Sequence, residues 1–221
     1  MINRELYMEQ ITPFIDKPFV KVITGIRRCG KSVVLRLIRE ELLRRGVSED
    51  HIIYMNFESF EWMDVKEAKA LYTYIREVTK VSGKYYILLD EIQEVTDWEK
   101  AVNAFLVDLD ADIYVTGSNS RLLSSEFSTY LAGRYVAFHI MTLSFREYLL
   151  FHNVPLAISA SDRKAEFLKY LRMGGFPAIH TANYDYNAIY KIVYDIYSSV
   201  ILRDTVQRHG IRNVEMLERI V

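Results

Sequence analysis

Cysteine is almost missing from this chain: Cys29 is the one cysteine in 221 residues. Disulfide scaffolding and cysteine-based zinc sites are therefore excluded within one chain, and a reducing, cytoplasmic setting is expected. Excess charge of either sign is missing too. Lys and Arg total 28 against 29 Asp and Glu, a net charge of -1, with a pI near 6.5. That is no footprint for broad nucleic-acid binding, although it leaves a local patch open. No apolar run reaches membrane-spanning length and the mean hydropathy is -0.01, so no membrane span is expected. Met1, Ile2, Asn3, Arg4 and Glu5 open the chain without the apolar stretch of a secretory signal. The five histidines, His51, His139, His152, His180 and His209, show neither H-x-x-x-H nor H-E-x-x-H spacing, which argues against a transition-metal site. No internal repeat or low-complexity tract appears. Half of the chain is hydrophobic and 13% aromatic, ample for the core of one large domain or one and a half.

Within this composition one octet stands out. Gly25, Ile26, Arg27, Arg28, Cys29, Gly30, Lys31 and Ser32 fit G-x-x-x-x-G-K-[ST], the P-loop pattern, at every fixed position. Glycines let the backbone curl so that successive N–H groups point inward at phosphate oxygens, and the following helix adds the positive end of its dipole. Lys31 is expected to reach the β- and γ-phosphates, and the Ser32 hydroxyl to hold Mg²⁺. With Val33 in the first helical turn, the octet makes up the expected ATP-binding set. Chance produces such a match in roughly one random chain per hundred of this length. Context agrees. Residues 19–23 are β-branched and aromatic, as in a buried strand, and Val34, Leu35, Ile38 and Leu42 recur at helical spacing until Gly46 stops the run.

Residues 84–89 form an apolar strand pattern that ends in Asp90 and Glu91. Burial of that strand places both acids at the carboxyl end of a sheet, where open α/β sheets bind ligands. After a P-loop, the first acid holds Mg²⁺ and the second orients and deprotonates an attacking water. A strand that merely reaches solvent would also end in acids. Residues 113–115 form a further apolar strand that runs into Thr116, Gly117, Ser118, Asn119 and Ser120. Inserted between the P-loop strand and the Asp-Glu strand, its tip would lie beside the γ-phosphate. Asn119 is the preferred polar residue there, with Ser118 and Thr116 as alternatives and Ser120 as a helix N-cap; turn chemistry alone also favours these residue types. Arg134 follows Gly133 just before a fifth strand. It is either a finger that reaches a neighbouring subunit's γ-phosphate or a cation at a helix end.

Strand-like segments at 19–23, 51–59, 85–89, 113–115 and 135–141 alternate with helix-like ones at 32–45, 64–78, 97–109 (with Asp97 as N-cap) and 120–131. Five strands alternating with helices indicate a parallel sheet covered on both faces, an α/β core over residues 1–145. After it the segments 146–151, 162–173, 186–208 and 214–221 all look helical, which indicates a helical subdomain over 146–221. Residues 213–221 start like a helix and carry no stop signal, as expected of a fragment of a longer protein. Tyr186, Tyr190, Tyr194 and Tyr197 form a helical stripe that reads as core or a subunit contact rather than a base-stacking platform.

These motifs resemble the additional-strand class of P-loop ATPases and, within it, the AAA+ group. Gly25 to Ser32 looks like Walker A, Leu88 to Glu91 like Walker B, and Asn119 like the sensor-one residue; Arg134 stands where AAA+ proteins often keep an arginine finger. The closer resemblance is to a prokaryotic AAA family related to archaeal ATPases of the origin-recognition clade. Its pattern G-x-R-R-x-G-K-[ST], hydrophobics followed by D-E-[IV]-Q, T-G-S, L-x-G-R and L-S-F-x-E is met at Gly25 to Ser32, Leu88 to Gln93, Thr116 to Ser118, Leu131 to Arg134 and Leu143 to Glu147. The resemblance implies a Mg²⁺-dependent ATPase that couples hydrolysis to conformational change. Its catalytic residues would be Lys31, Glu91, Asn119 and Arg134, and its metal residues Ser32 and Asp90. It leaves open a DNA or protein partner, a homo-oligomer, and further chain past residue 221. The rival reading is a nucleotide-regulated binding switch with negligible turnover.

Overall fold

The computed structural model describes residues 4–118, 131, 133–182 and 184–198. The described chain divides into two compact units. The first extends to Ile140; the second starts at Met141 and also takes in the loop residues Arg27–Cys29.

The first unit is built on five strands: β1 (Val20–Gly25), β2 (Ile52–Asn56), β3 (Tyr85–Asp90), β4 (Ala111–Ser118) and β5 (Tyr135–His139). All neighbours pair in parallel, in the order β2-β3-β4-β1-β5. The strand ending in polar residues thus lies between the P-loop strand and the Asp-Glu strand, as expected. Parallel pairing requires long crossovers, and α2 (Lys31–Arg44), α3 (Ala68–Val78) and α4 (Trp98–Asp108) supply them; α1 (Glu5–Ile11) precedes β1. β1 and β3 are buried at all their positions, which explains their near-continuous apolar sequence.

Side chains alternate across the sheet. Val20 and Val22, Tyr85, Ile87 and Leu89, and Ile113 and Val115 form one core with Leu71 and Ile75 of α3 and Trp98, Val102 and Phe105 of α4. α2 packs against β1, β3 and β4, and its buried Val34, Leu35, Ile38 and Leu42 stand apart from that cluster. Alternate strand positions, among them Tyr86, Leu88 and Asp90, belong to this second face.

One expected helix start and one expected side-chain cap differ for local reasons. The helix expected from residue 64 begins at Ala68 because residues 66–68 run extended beside Thr96: the Thr96 amide donates to the Lys66 carbonyl at 2.7 Å and the Ala68 amide to Thr96 at 2.9 Å. Asp97 precedes α4 as expected but does not cap it. Its φ is 57°, and its carboxylate pairs with Lys100 at 2.8 Å. The helix expected over 120–131 lies outside the described residues except for Leu131, as do the segment 214–221 and the part of 186–208 past residue 198.

The second unit contains α5 (Phe145–Phe151), α6 (Ala160–Met173) and α7 (Tyr186–Ile196). Ser144 and Glu147 form a reciprocal capping box at the start of α5. Gly174, at φ 79°, ends α6. Behind them His152 and His180 face each other, Nε2 to Nδ1 at 3.0 Å, and burial lowers the pKa of both. Tyr186, Tyr190 and Tyr194 are 57%, 73% and 56% exposed, so that part of the stripe is surface and not core.

A charged pair is buried at the amino-terminal end of the sheet. Lys21 of β1 is fully buried and pairs with Asp112 of β4. It also donates to the Lys17 carbonyl at 2.9 Å. Asp112 further accepts the Asp16 amide and the Tyr114 hydroxyl, both at 2.8 Å. Burial lowers the Lys21 pKa, and the Asp112 carboxylate opposes it. Lys21→Met should destabilise the chain by about 3–5 kcal/mol in denaturant unfolding, because it strands the Asp112 charge. Adding Asp112→Asn should recover part of that loss: the amide oxygen still accepts from Tyr114 and Asp16 and carries no charge. A double variant no more stable than the single one would show that the stranded charge is not the cause.

Candidate functional site

β1 delivers the chain to the loop and α2 receives it. Gly30 stands at the N-cap of α2 with φ 105° and ψ 25°, a conformation open to glycine and strained for most other residues. Its carbonyl accepts the amides of Val33 and Val34, both at 3.1 Å. The amides of Lys31 and Ser32, at the head of a 14-residue helix, have no intrahelical acceptor, and the dipole points its positive end the same way. Ile26, Arg27 and Arg28 are exposed and Arg28 takes φ 65°; Cys29 is buried. Ser32 and Val33 are partly exposed.

Lys31 is buried, 3% exposed. Its ammonium lies 3.3 Å from Glu91 Oε1 and 3.4 Å from the Gly25 carbonyl. The sheet order brings this about: β4 separates β1 from β3, and the P-loop and acid pair emerge at the same carboxyl end. Glu91 leaves β3 at φ 54°, a left-handed conformation that turns the chain sharply out of the strand. Its amide donates to Thr116 Oγ1 at 3.0 Å, and Gln93 Nε2 donates to its Oε2 at 2.6 Å.

Asp90 is fully buried. The Thr116 hydroxyl donates to its Oδ1 and the Tyr54 hydroxyl to its Oδ2, the latter at 3.0 Å. Burial and then the neighbouring carboxylate push the Tyr54 phenol up to about 12, so it stays a neutral donor across the physiological range. An acid held by two neutral hydroxyls has spare lone pairs, which suits a hard divalent cation.

Lys31, Asp90 and Glu91 are therefore brought together, with Ser32 next to Lys31 on α2. Asn119 lies outside the described residues. Thr116, named only as an alternative, occupies the junction of the acid pair. Arg134 is not at this end of its own chain. It precedes β5, its carbonyl accepts the Val20 amide at the start of β1, and its guanidinium donates to Asn103 Oδ1 at 3.1 Å. Tyr54 and Gln93 were missed. A tyrosine two residues before the end of β2 gains meaning only from the register, which sets Tyr54 beside Leu88 and Asn56 beside Asp90. Gln93 was visible in the D-E-[IV]-Q pattern but had no role attached.

The AAA domain family matches residues 17–149, from before β1 into α5. The chain belongs to the AAA domain family. Its sheet is that of a P-loop ATPase-like fold. An uncharacterized protein of Haemophilus influenzae is 40% identical to this AAA domain chain over 222 residues, covering 100% of it and 54% of that protein. An uncharacterized protein of Methanocaldococcus jannaschii is 34% identical over 223 residues, covering 99% of this chain and 48% of its own. The chain thus spans about half the length of the curated relatives it matches. Among solved structures, a Walker-type ATPase of Pyrococcus abyssi aligns with a TM-score of 0.60 at 14% identity, over 95% of this chain and 76% of that one. AMPPCP-bound DnaA of Aquifex aeolicus aligns with a TM-score of 0.50 at 14% identity, over 94% and 67%. These two likenesses are of fold. No helix of the described residues is long and apolar enough to cross a membrane.

Thr116 offers a test of this AAA domain site. Thr116→Val keeps the shape and removes both hydrogen bonds, so unfolding should show a loss of about 1–3 kcal/mol. Thr116→Ser, which keeps the hydroxyl, should lose less. Wild-type stability in Thr116→Val would show that the bridge contributes nothing.

Proposed function

We propose that this AAA domain binds ATP with Mg²⁺ and hydrolyses it, and that hydrolysis drives a conformational change. The observation that carries the reading is the resting position of Lys31. A buried ammonium at the head of a helix lies against one carboxylate and, at longer range, one carbonyl. A polyphosphate can replace both partners and meet the amides of the same helix turn that have no intrahelical acceptor. The fold likeness to AMPPCP-bound DnaA supports nucleotide binding.

In this reading Lys31 and the backbone from Gly25 through Val33 hold the phosphates. Ser32 and Asp90 hold Mg²⁺, which supplies charge neutralisation on the phosphates when bound. Glu91 takes the proton of the attacking water, and Asn119 senses the γ-phosphate. The helical portion past residue 145 carries the movement to a protein or DNA partner, in a cytoplasmic homo-oligomer. Arg134 sits at the sheet edge opposite its own Lys31, so its proposed role is toward a neighbouring copy.

The carboxylates separate by variant. Lys31→Ala should weaken ATP binding at least tenfold in titrations with a fluorescent analogue. Asp90→Asn should remove the Mg²⁺ dependence of binding, and Glu91→Gln should keep affinity while turnover falls a hundredfold or more, on the order expected for a lost general base. Unchanged affinity in Lys31→Ala would refute the phosphate site. ATP binding without any wild-type turnover would favour the nucleotide-regulated switch.

For Arg134 the test is complementation in the intact protein. Arg134→Ala and Lys31→Ala should each be inactive, with ATP affinity retained in the first. Mixing them should restore part of the activity, because a mixed interface pairs an intact loop with an intact arginine; a finger is worth roughly a thousandfold. Absence of rescue, under conditions where the wild type is assembled and active, would leave Arg134 as a cation bound to Asn103.

A further inference from the structure

We propose that Gln93 is the residue that sets the attacking water, by holding the base with its amide nitrogen and the water with its amide oxygen. The inference rests on the reading of Glu91 as the base. Three observations lead to it. The first is that the two Glu91 oxygens have different partners: Oε1 faces Lys31 at 3.3 Å, and Oε2 takes the Gln93 Nε2 hydrogen at 2.6 Å. The second is that Gln93 Oε1 is buried and has no hydrogen-bond partner, and it is the one such side-chain atom among the described residues. A buried acceptor left unmade costs free energy, so such an atom calls for a ligand that supplies a hydrogen. The third is the backbone. Glu91 is held at φ 54° by the Thr116 contact to its amide, and the 3-10 turn Ile92–Glu94 begins directly after it. Glu91 and Gln93 are thereby fixed relative to each other by a two-residue turn rather than by long flexible side chains.

The consequence follows from counting hydrogens. When phosphates take over the Lys31 ammonium, Glu91 Oε1 loses its partner and becomes an open acceptor. Oε2 does not, because Gln93 still holds it, so the carboxylate cannot swing after the lysine. A water brings two hydrogens to this place. One goes to Glu91 Oε1. The other goes to Gln93 Oε1, which shares its amide plane with the nitrogen already on Glu91. With both hydrogens committed, a water lone pair is left to point away from the two side chains, toward the γ-phosphorus. The bond from water oxygen to phosphorus forms and the bond from phosphorus to the β-phosphate oxygen breaks. The water proton passes to Glu91 Oε1 and the electron pair leaves on ADP. Orientation of this kind raises kcat and leaves ground-state nucleotide binding alone.

The test compares wild type, Gln93→Met, Gln93→Glu and Glu91→Gln in the intact protein. Steady-state ATPase kinetics, the affinity for a fluorescent ATP analogue and the melting temperature are measured for each. Gln93→Met keeps length and packing and removes both polar atoms. Gln93→Glu keeps an acceptor, loses the donor and sets a like charge beside the base. Both should lower kcat by 10- to 100-fold with KM and analogue affinity within about twofold of wild type. A merely structural glutamine would lower the melting temperature without that split between kcat and KM. Wild-type kcat in either folded variant, while Glu91→Gln is inactive, overturns the role of Gln93 and leaves that of Glu91 standing. Turnover in Glu91→Gln at the wild-type rate, or none in wild type, overturns both. Should Gln93→Met fail to fold, the isosteric Gln93→Glu decides by the same criteria.

Discussion

The Thr116 hydroxyl has one hydrogen to give, and it gives it to Asp90 while accepting the amide of Glu91. Both acids are thus referred to a single atom of the neighbouring strand. That contact exists only because β4 lies beside β3 and reaches past it to Ser118. The left-handed turn at Glu91 depends on it too, since a non-glycine residue stays in that region only when its surroundings hold it there. From this turn follow the direction of the Glu91 carboxylate, its approach to Lys31 and the placement of Gln93. The geometry at the end of β3 is therefore set from outside β3.

The face of the sheet that carries the acids is polar at both ends. Asp90 and Thr116 occupy its carboxyl end, and Lys21, Asp112, Tyr114 and Tyr86 its amino end. At both ends a hydroxyl or an opposite charge answers each buried carboxylate, as burial of charge demands. Between them Ile23 and Leu88 are fully buried and apolar. The amino-terminal cluster sits where β1 and β4 must align for Gly25 to stand opposite Ser118. Lys21 and Asp112 are not near the loop, yet they specify the register that puts the loop and the β4 tip side by side.

Much of this was legible in the sequence because it depends on local rules. A strand, a glycine-bearing loop and an amphipathic helix occur in that order at 20–44, and the apolar run at 85–89 ends in two acids, so strand, loop, helix and acid pair could be named before their arrangement was known. The insertion of β4 was legible too, through polar residues at the tip of an apolar strand. What was not legible came from neighbours distant in sequence. Tyr54 reaches Asp90 across 36 positions, and Thr116 reaches it across 26. Glu67 is held extended by a bridge to Thr96, which delayed α3 against its own helical pattern. In each of these cases a partner fixed by the fold displaced a preference readable along the chain; Asp97 differs, because the partner that draws its carboxylate from the cap is local, Lys100 one turn on.

The resting charges at the site also impose an order on any chemistry there. Lys31 and Glu91 neutralise each other at 3.3 Å while both are nearly buried, at 3% and 11% side-chain exposure. On the proposed roles, the same contact that shelters two charges keeps the base from acting on a water. On the same proposal phosphate removes the lysine, and the acceptor at Glu91 Oε1 opens only after a nucleotide has arrived. Asp90 is arranged differently: its contacts are two neutral hydroxyls, which no anion can draw away. On that proposal one carboxylate is conditional on the ligand and its neighbour is constant. The difference in partners, rather than any difference between the two acids themselves, is what supports the separate tasks proposed for them.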